Sequence, residues 1–549
     1  MSAHASLANR LTVLIFFILS GCFLFFICPY GLVFKEQTVL FEFTRDYLSE
    51  LFSRPAALAE LAGTFLTQFF IFRWAAALIT LLFIILLWAG IRRALDVAGA
   101  NHSSILALFP AAAEMILCSQ YEYPLSMTIG AAMAVWMALG CLKLKKSTAG
   151  TIAGIVCALA CYPLVGIHCL LFFIILWTGK GLGWLQGLGI LILATAYVWV
   201  LGTRLYLLDT AQAFAYPIVT GSAIDNVHTL FATELLTLLC IPASKLRCRF
   251  WVPGALVFIL TGAAVFICRD PKTEYDLKIS TLAYFSRWDT VLQMGKDNPH
   301  NSQLGAYYYN LALAREGKLS QNLLDAYQPL AYGLLLPVEP KVGYPKYLAS
   351  ADALLLCGDY SQAQHSAHIG MTFTPHSRSS RAARKLIEIA ISNGDNKVAA
   401  KYIKMLSHSI IHRKWALDAM SLLQNGRTYT ENHNKEILVK ANDFEPALRN
   451  IIESGDAHSA TAIEYLLCMD LLKKQSKDFS RDFQTYYLPN NGGKPLPKLY
   501  MEALAMLGLG EEYGVSEEVL SAFRDFMDGN YGRYRKTFWY YLLYAQPGE

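Results

Sequence analysis

Charge is scarce in the first half of this chain. Residues 1–270 hold 28 charged side chains, 16 basic and 12 acidic, against 61 in residues 271–549, 31 basic and 30 acidic. So low a density does not make a water-soluble surface; the first half suits lipid and the second suits water. Neither half has the basic excess of a broad nucleic-acid surface, so nucleic acid is not an expected partner. Cysteine is nearly missing from the second half, where only Cys357 and Cys468 of the 12 occur, each in an apolar helical pattern, and a disulfide framework is not expected. Strand signals are few. Gly183, Gly187 and Gly189 are not followed by Gly-Lys-Ser or Gly-Lys-Thr, and the second half has no hydrolase elbow, zinc-protease motif or dinucleotide fingerprint.

What is present in residues 1–270 is a series of apolar runs near the length of about 20 residues that crosses a bilayer. They predict about nine spans, near residues 11–29, 73–91, 103–120, 125–142, 149–161, 164–178, 182–202, 228–241 and 251–268. The fifth and sixth form one run broken at Cys161-Tyr162-Pro163, which reads as a hairpin. Basic residues flank alternate loops: Arg10; Arg92 and Arg93; Lys143, Lys145 and Lys146; Lys180; Lys245, Arg247 and Arg249. With these inside, the N-terminus is cytoplasmic and everything after about Arg269 lies outside the cytoplasm. Leu19-Ser20-Gly21-Cys22 matches a lipoprotein cleavage box, but apolar sequence continues to Ile27, so an uncleaved first span is expected.

The first outer loop, residues 33–72, carries the richest pattern. From Val39 to Ser53, Val39, Leu40, Phe43, Tyr47, Leu51 and Phe52 share one helical face, and Glu42, Arg45, Asp46, Ser49 and Ser53 the other. This predicts a helix lying on the membrane surface, ending at Arg54-Pro55, followed by a more apolar helix from Ala56 to Phe72. Glu114 falls inside the third span, Glu122 in the turn after it, Arg204 beside the seventh and Glu234 in the eighth. Ionisable groups at membrane depth cost several kcal/mol, roughly, and call for a function or a partner. Cys157 and Cys161 have no third ligand beside them and read as packing residues.

Residues 271–549 repeat a helix, glycine turn, helix pattern around Gly317, Gly358 and Gly394, spaced 41 and 36 residues apart. The regular tetratricopeptide unit is about 34 residues, so this reads as a degenerate TPR-like array with Pro329 and Pro375 at helix stops. Stacked hairpins commonly hold peptides, and Tyr307-Tyr308-Tyr309 or Phe538-Trp539-Tyr540-Tyr541 would line a groove or, more simply, pack a core. His365 with His368, and His408 with His412, have helical spacings that can bind metal, but no acidic or cysteine ligand is tied to them in sequence. The fold class expected is all-α: a polytopic transmembrane bundle over 1–270 and an extracytoplasmic helical-repeat domain over 271–549.

Several stretches resemble a family of uncharacterised multi-pass proteins of Gram-negative inner membranes: Glu36-Gln37, Phe43-Thr44, Asp46-Tyr47-Leu48, Phe65 to Phe70, Leu496-Pro497, Tyr500, Glu502-Ala503-Leu504 and Thr537 to Tyr540. The resemblance implies an inner-membrane address and a periplasmic C-terminal domain, without a reaction. The long first loop with its acidic residue is also similar to that of C-type membrane glycosyltransferases, although Asp46 stands between Arg45 and Tyr47 rather than beside a second acid. That resemblance implies sugar transfer from a polyprenyl-phosphate lipid. Asp46 or Glu42 would be base or ligand to a divalent metal, Arg204 or Arg73 would meet phosphate, and Glu122 and Glu114 would stand near the substrate. Against it stand a non-catalytic scaffold whose periplasmic repeats bind envelope proteins or peptides, and a transporter built on Glu114 and the Pro163 break.

Overall fold

The computed structural model describes residues 3–145, 147–218, 227–245, 251–336, 344–424 and 444–545. Among them every regular element is helical, with no strand. Lys146, Arg247 and Arg249 of the expected basic flanks lie outside the described residues. Contacts divide the chain into two compact units. The first is Met1–Asp270 with Thr372–Ser380 and Lys404–Leu417; the second is Pro271–Met371, Arg381–Ile403 and Asp418–Glu549.

Among the described residues of the first unit, five helical stretches are long and apolar enough to cross a membrane: Leu7–Ile27, Arg73–Val97, Leu125–Leu142, Thr148–Gly179 and Trp184–Leu205. A sixth arises if Val252–Cys268 and Pro271–Tyr284 make one broken span. Against the nine expected, five or six candidates meet that test of length and composition among the described residues. Ser103–Ser119 and Ala232–Ala243 fall in the range of 10 to 17 residues, and residues 148–179 form one stretch. Within that stretch the chain nevertheless reverses. Gly130 abuts the Val165 carbonyl and Cys141 lies beside Cys157, so Thr148–Val165 runs antiparallel to Leu125–Leu142. Gly179 then abuts Leu142, so Cys169–Gly179 returns alongside the same helix. The turn is at Gly166, whose φ of 70° suits a residue without a side chain, and not at Pro163, which stays inside the preceding helix. The first helix runs unbroken through Cys22 into a π-helical turn ending at Ile27.

The first loop departs from its predicted form. Pro29–Thr38 is helical, residues 39–44 are not, and the next helix is Arg45–Phe52, shorter than the Val39–Ser53 pattern. The cause is Thr44, which takes the extended N-cap conformation and accepts the Tyr47 amide proton on its hydroxyl. Tyr47 and Leu51 are buried with Phe41, whereas Phe43 and Phe52 are exposed. Ala57–Thr67 follows as expected, and Gly63 seats it against the Ser126 backbone.

In the second unit, glycines with positive φ sit at three inter-helix turns: Gly317 after Gln303–Arg315, Gly358 between Tyr344–Leu356 and Tyr360–Phe373, and Gly394 between Ser380–Ser392 and Asn396–Ser407. Tyr307, Tyr308 and Tyr309 are core residues, and Phe538, Trp539 and Tyr541 bury the last helix, Phe538–Tyr544. Core packing therefore accounts for both aromatic runs.

Candidate functional site

The first loop is where the polar chemistry of the first unit gathers, through partners from far along the chain. Residues 372–380 carry a 3-10 turn, Pro375–Ser377, in which His376 and Ser377 have φ near 55°. This sharp bend aims His376 and Arg378 at the loop. His376 Nε2 lies 2.7 Å from Glu60 Oε1, and Glu60 Oε2 accepts from the Tyr216 hydroxyl at 3.2 Å. The Arg54 guanidinium meets His376 Nδ1 and donates to Glu50 Oε1 at 2.5 Å. A guanidinium can only donate, so Nδ1 is the acceptor in that contact and Nε2 is the nitrogen that faces Glu60.

Arg378 bridges two carboxylates. It donates to Glu42 and, at 2.9 Å, to Glu50 Oε2, and its guanidinium lies 5.1 Å from the centre of the Tyr47 ring. Burial pushes the Glu42 carboxyl above its ordinary range, against the opposing pull of Arg378. The other returning segment adds His412, whose Nε2 lies 2.6 Å from Glu36 Oε1, with both side chains nearly inaccessible. Backbone bonds complete the clamp: Ser379 and Ser380 hydroxyls donate to the carbonyls of Gln37 and Glu36, and the Phe43 amide donates to the His408 carbonyl.

Of the residues singled out from sequence, Glu42 belongs to this cluster. Asp46 is exposed in the first turn of Arg45–Phe52, where an acid favours the helix N-terminus, and it makes no hydrogen bond or ion pair among the described residues. Arg204 is exposed in the turn Leu201–Leu205. Arg73 is exposed, donates to the Phe25 carbonyl at 3.2 Å and lies over the rings of Phe25 and Tyr30. Glu122 is half-buried and accepts from Tyr121. Glu114 is fully buried elsewhere in the unit, accepting from Tyr123 and Thr233. Asp46 and the two arginines are thus not gathered with Glu42. Sequence reasoning missed Glu36, Glu60, His376 and Arg378 as partners; Pro375 signalled a helix stop and nothing more. His412 carried a metal-binding expectation with His408, but its ring faces Glu36. Among the described residues no three His, Cys, Asp or Glu side chains are placed to hold a metal ion.

No curated protein and no solved structure matches the chain. A family model does, over residues 3–545, with the description "Family of unknown function (DUF6057)".

Proposed function

The chain belongs to the DUF6057 family of unknown function, and from that premise we propose that this multi-pass membrane protein is a non-catalytic scaffold of the bacterial inner membrane. On this reading its first loop is a structural joint. The observation that carries it is the commitment of the loop's acids: Glu36 to His412, Glu42 to Arg378 and Glu60 to His376. A carboxylate that activates an acceptor hydroxyl or holds a divalent metal needs an open lone pair facing substrate. Transfer from a polyprenyl-phosphate sugar, with Asp46 or Glu42 as base and Arg204 or Arg73 on phosphate, draws less support from these positions.

The second unit supplies the binding surface in this proposal. Its helix pairs turning at Gly317, Gly358 and Gly394 are the basis for reading a degenerate TPR-like array, and such arrays hold proteins or extended peptides. We place the N-terminus in the cytoplasm and the helical array in the periplasm, from the lysine and arginine pattern of the loops. A reporter enzyme fused at the C-terminus tests that orientation. Mass spectrometry of lipids co-purifying with the detergent-extracted protein, against an unrelated inner-membrane control, tests the absence of catalysis. Bulk phospholipid alone is expected; selective enrichment of a polyprenyl phosphate or its glycosylated form would overturn the scaffold reading.

A further inference from the structure

A second polar cluster lies among the apolar helices of the first unit. His168, in the turn after Gly166, is wholly buried, and its Nδ1 lies 2.6 Å from Glu234 Oε1 on the Ala232–Ala243 helix. The next residue back, Thr233, donates to Glu114 Oε2 at 2.8 Å, and the Tyr123 hydroxyl donates to Glu114 Oε1 at 2.9 Å. Both oxygens of Glu114 are thus engaged by hydroxyl groups. Its counter-ion is Lys35, buried, donating to the Cys118 carbonyl at 2.7 Å and within electrostatic reach of Glu114. Glu114 also acts on His168, and Cys169 adjoins Glu234.

The charges of this group balance only in one protonation state. Lys35 offsets Glu114, so the His168 and Glu234 pair is neutral overall when it holds one proton and carries a net negative charge without it. In a low-dielectric bundle the second state is strongly disfavoured, so the pair retains a proton. Two polar atoms of the pair, His168 Nε2 and Glu234 Oε2, are buried with no hydrogen-bond partner among the described residues. An open imidazole nitrogen on one side and a carboxylate on the other is the arrangement of a relay. When the pair has given up that proton, Nδ1–H faces the Glu234 carboxylate and Nε2 is open; a proton from water then bonds to Nε2, the bond from Nδ1 to its hydrogen breaks, and that hydrogen passes to Glu234 Oε1, which restores the neutral pair. Polar side chains lead away in both directions. Thr237, Cys240 and Ser244 follow Glu234 along its helix, all buried and each donating to a backbone carbonyl, and the Ser244 carbonyl accepts from Asn101 in a turn between helices. On the other side, Thr233 joins the Glu234 helix to Glu114, whose second oxygen accepts from Tyr123.

We propose that His168 and Glu234 bind a transferable proton, and that the first unit conducts protons through this pair. Ionisable chains of this kind at membrane depth mark proton pathways. The proposal is independent of the scaffold reading.

The test uses the full-length protein in phosphatidylethanolamine and phosphatidylglycerol vesicles holding a pH-sensitive dye, with a potassium diffusion potential as driving force. Proton entry faster than in protein-free vesicles is expected, falling to the protein-free rate in Glu234→Gln and His168→Gln and unchanged in Glu517→Gln, an exposed site in the second unit. Wild-type protein at the protein-free rate overturns the proposal, and so does Glu234→Gln at the wild-type rate. Should Glu234→Gln not fold, His168→Gln alone decides, with slowed entry expected and an unchanged rate overturning the proposal.

Discussion

Glu60 and His376 stand 316 positions apart in the chain and meet at 2.7 Å, with the carboxylate buried and the imidazole held on its other nitrogen by Arg54. No local pattern announces such a pair, yet three of this type fix the first loop. They tie Glu36, Glu42 and Glu60 to distant partners, and the consequences can be measured.

Removing Arg378 leaves Glu42 buried without its cation and Glu50 with one donor fewer. Arg378→Ala is expected to cost about 3 kcal/mol, the range for breaking a buried pair from one side. Asp46→Asn, at an exposed position one turn away, is expected to change stability by less than about 0.5 kcal/mol. Thermal unfolding of the two variants in the same detergent checks the contrast.

The hairpin turn at Gly166 has no room for a side chain. A Cβ there would lie 2.6 Å from the Tyr216 carbonyl oxygen and 3.0 Å from Ala56 Cβ, at a φ that L residues seldom adopt. Gly166→Ala is expected to destabilise the first unit by about 2 kcal/mol or more. Gly154, in the adjoining helix, has open space around it, and Gly154→Ala is expected to be neutral or to stabilise by about 0.5–1 kcal/mol. Yield and melting temperature of the purified variants distinguish the two.

Much of the architecture was legible. Helical character, the turn glycines and the core placement of Tyr307 to Tyr309 follow from periodicity and residue type. Fewer helices than the nine expected runs meet the length test among the described residues, because hydropathy reports apolar length and not where a helix is capped. The Ser103–Ser119 segment is apolar enough but short. The helix expected from Val39 begins instead at Arg45, because the Thr44 hydroxyl competes for the backbone there. The candidate site was legible only in Glu42. Its partners depend on tertiary return of residues 372–380 and 404–417, which leaves no trace in local spacing.

Asp470 gives the second unit a pH signature. Both of its carboxylate oxygens are buried without hydrogen-bond partners among the described residues, and burial, with Asp482 and Glu445 nearby, pushes its pKa from 3.8 up to about 8. The folded state therefore holds this proton where the unfolded chain has lost it, and stability falls as pH rises from about 4 to about 8. Asp470→Asn is expected to flatten that fall and to stabilise the protein by about 1–3 kcal/mol at the alkaline end. Melting curves across this range check both the slope and its loss.

Glu502 anchors the last helix through a carboxylate that accepts the Phe538 amide at 2.7 Å, while its carbonyl accepts the Trp539 indole. Glu502→Ala removes that N-terminal acceptor and is expected to cost about 1 kcal/mol, the size of a lost cap. The release is local, so faster proteolytic removal of residues 538–545, with the rest of the chain intact, is the readout.

The central claim, that the first-loop acids serve the joint, is tested most directly by a double-mutant cycle on Glu42 and Arg378. Glu42→Gln, Arg378→Met and the double variant are compared by unfolding in detergent. The account predicts strong non-additivity, with the double variant more stable than the sum of the single losses implies. Additive effects, with Glu42→Gln as stable as the wild type, would contradict it and return Glu42 to the list of candidate catalytic groups.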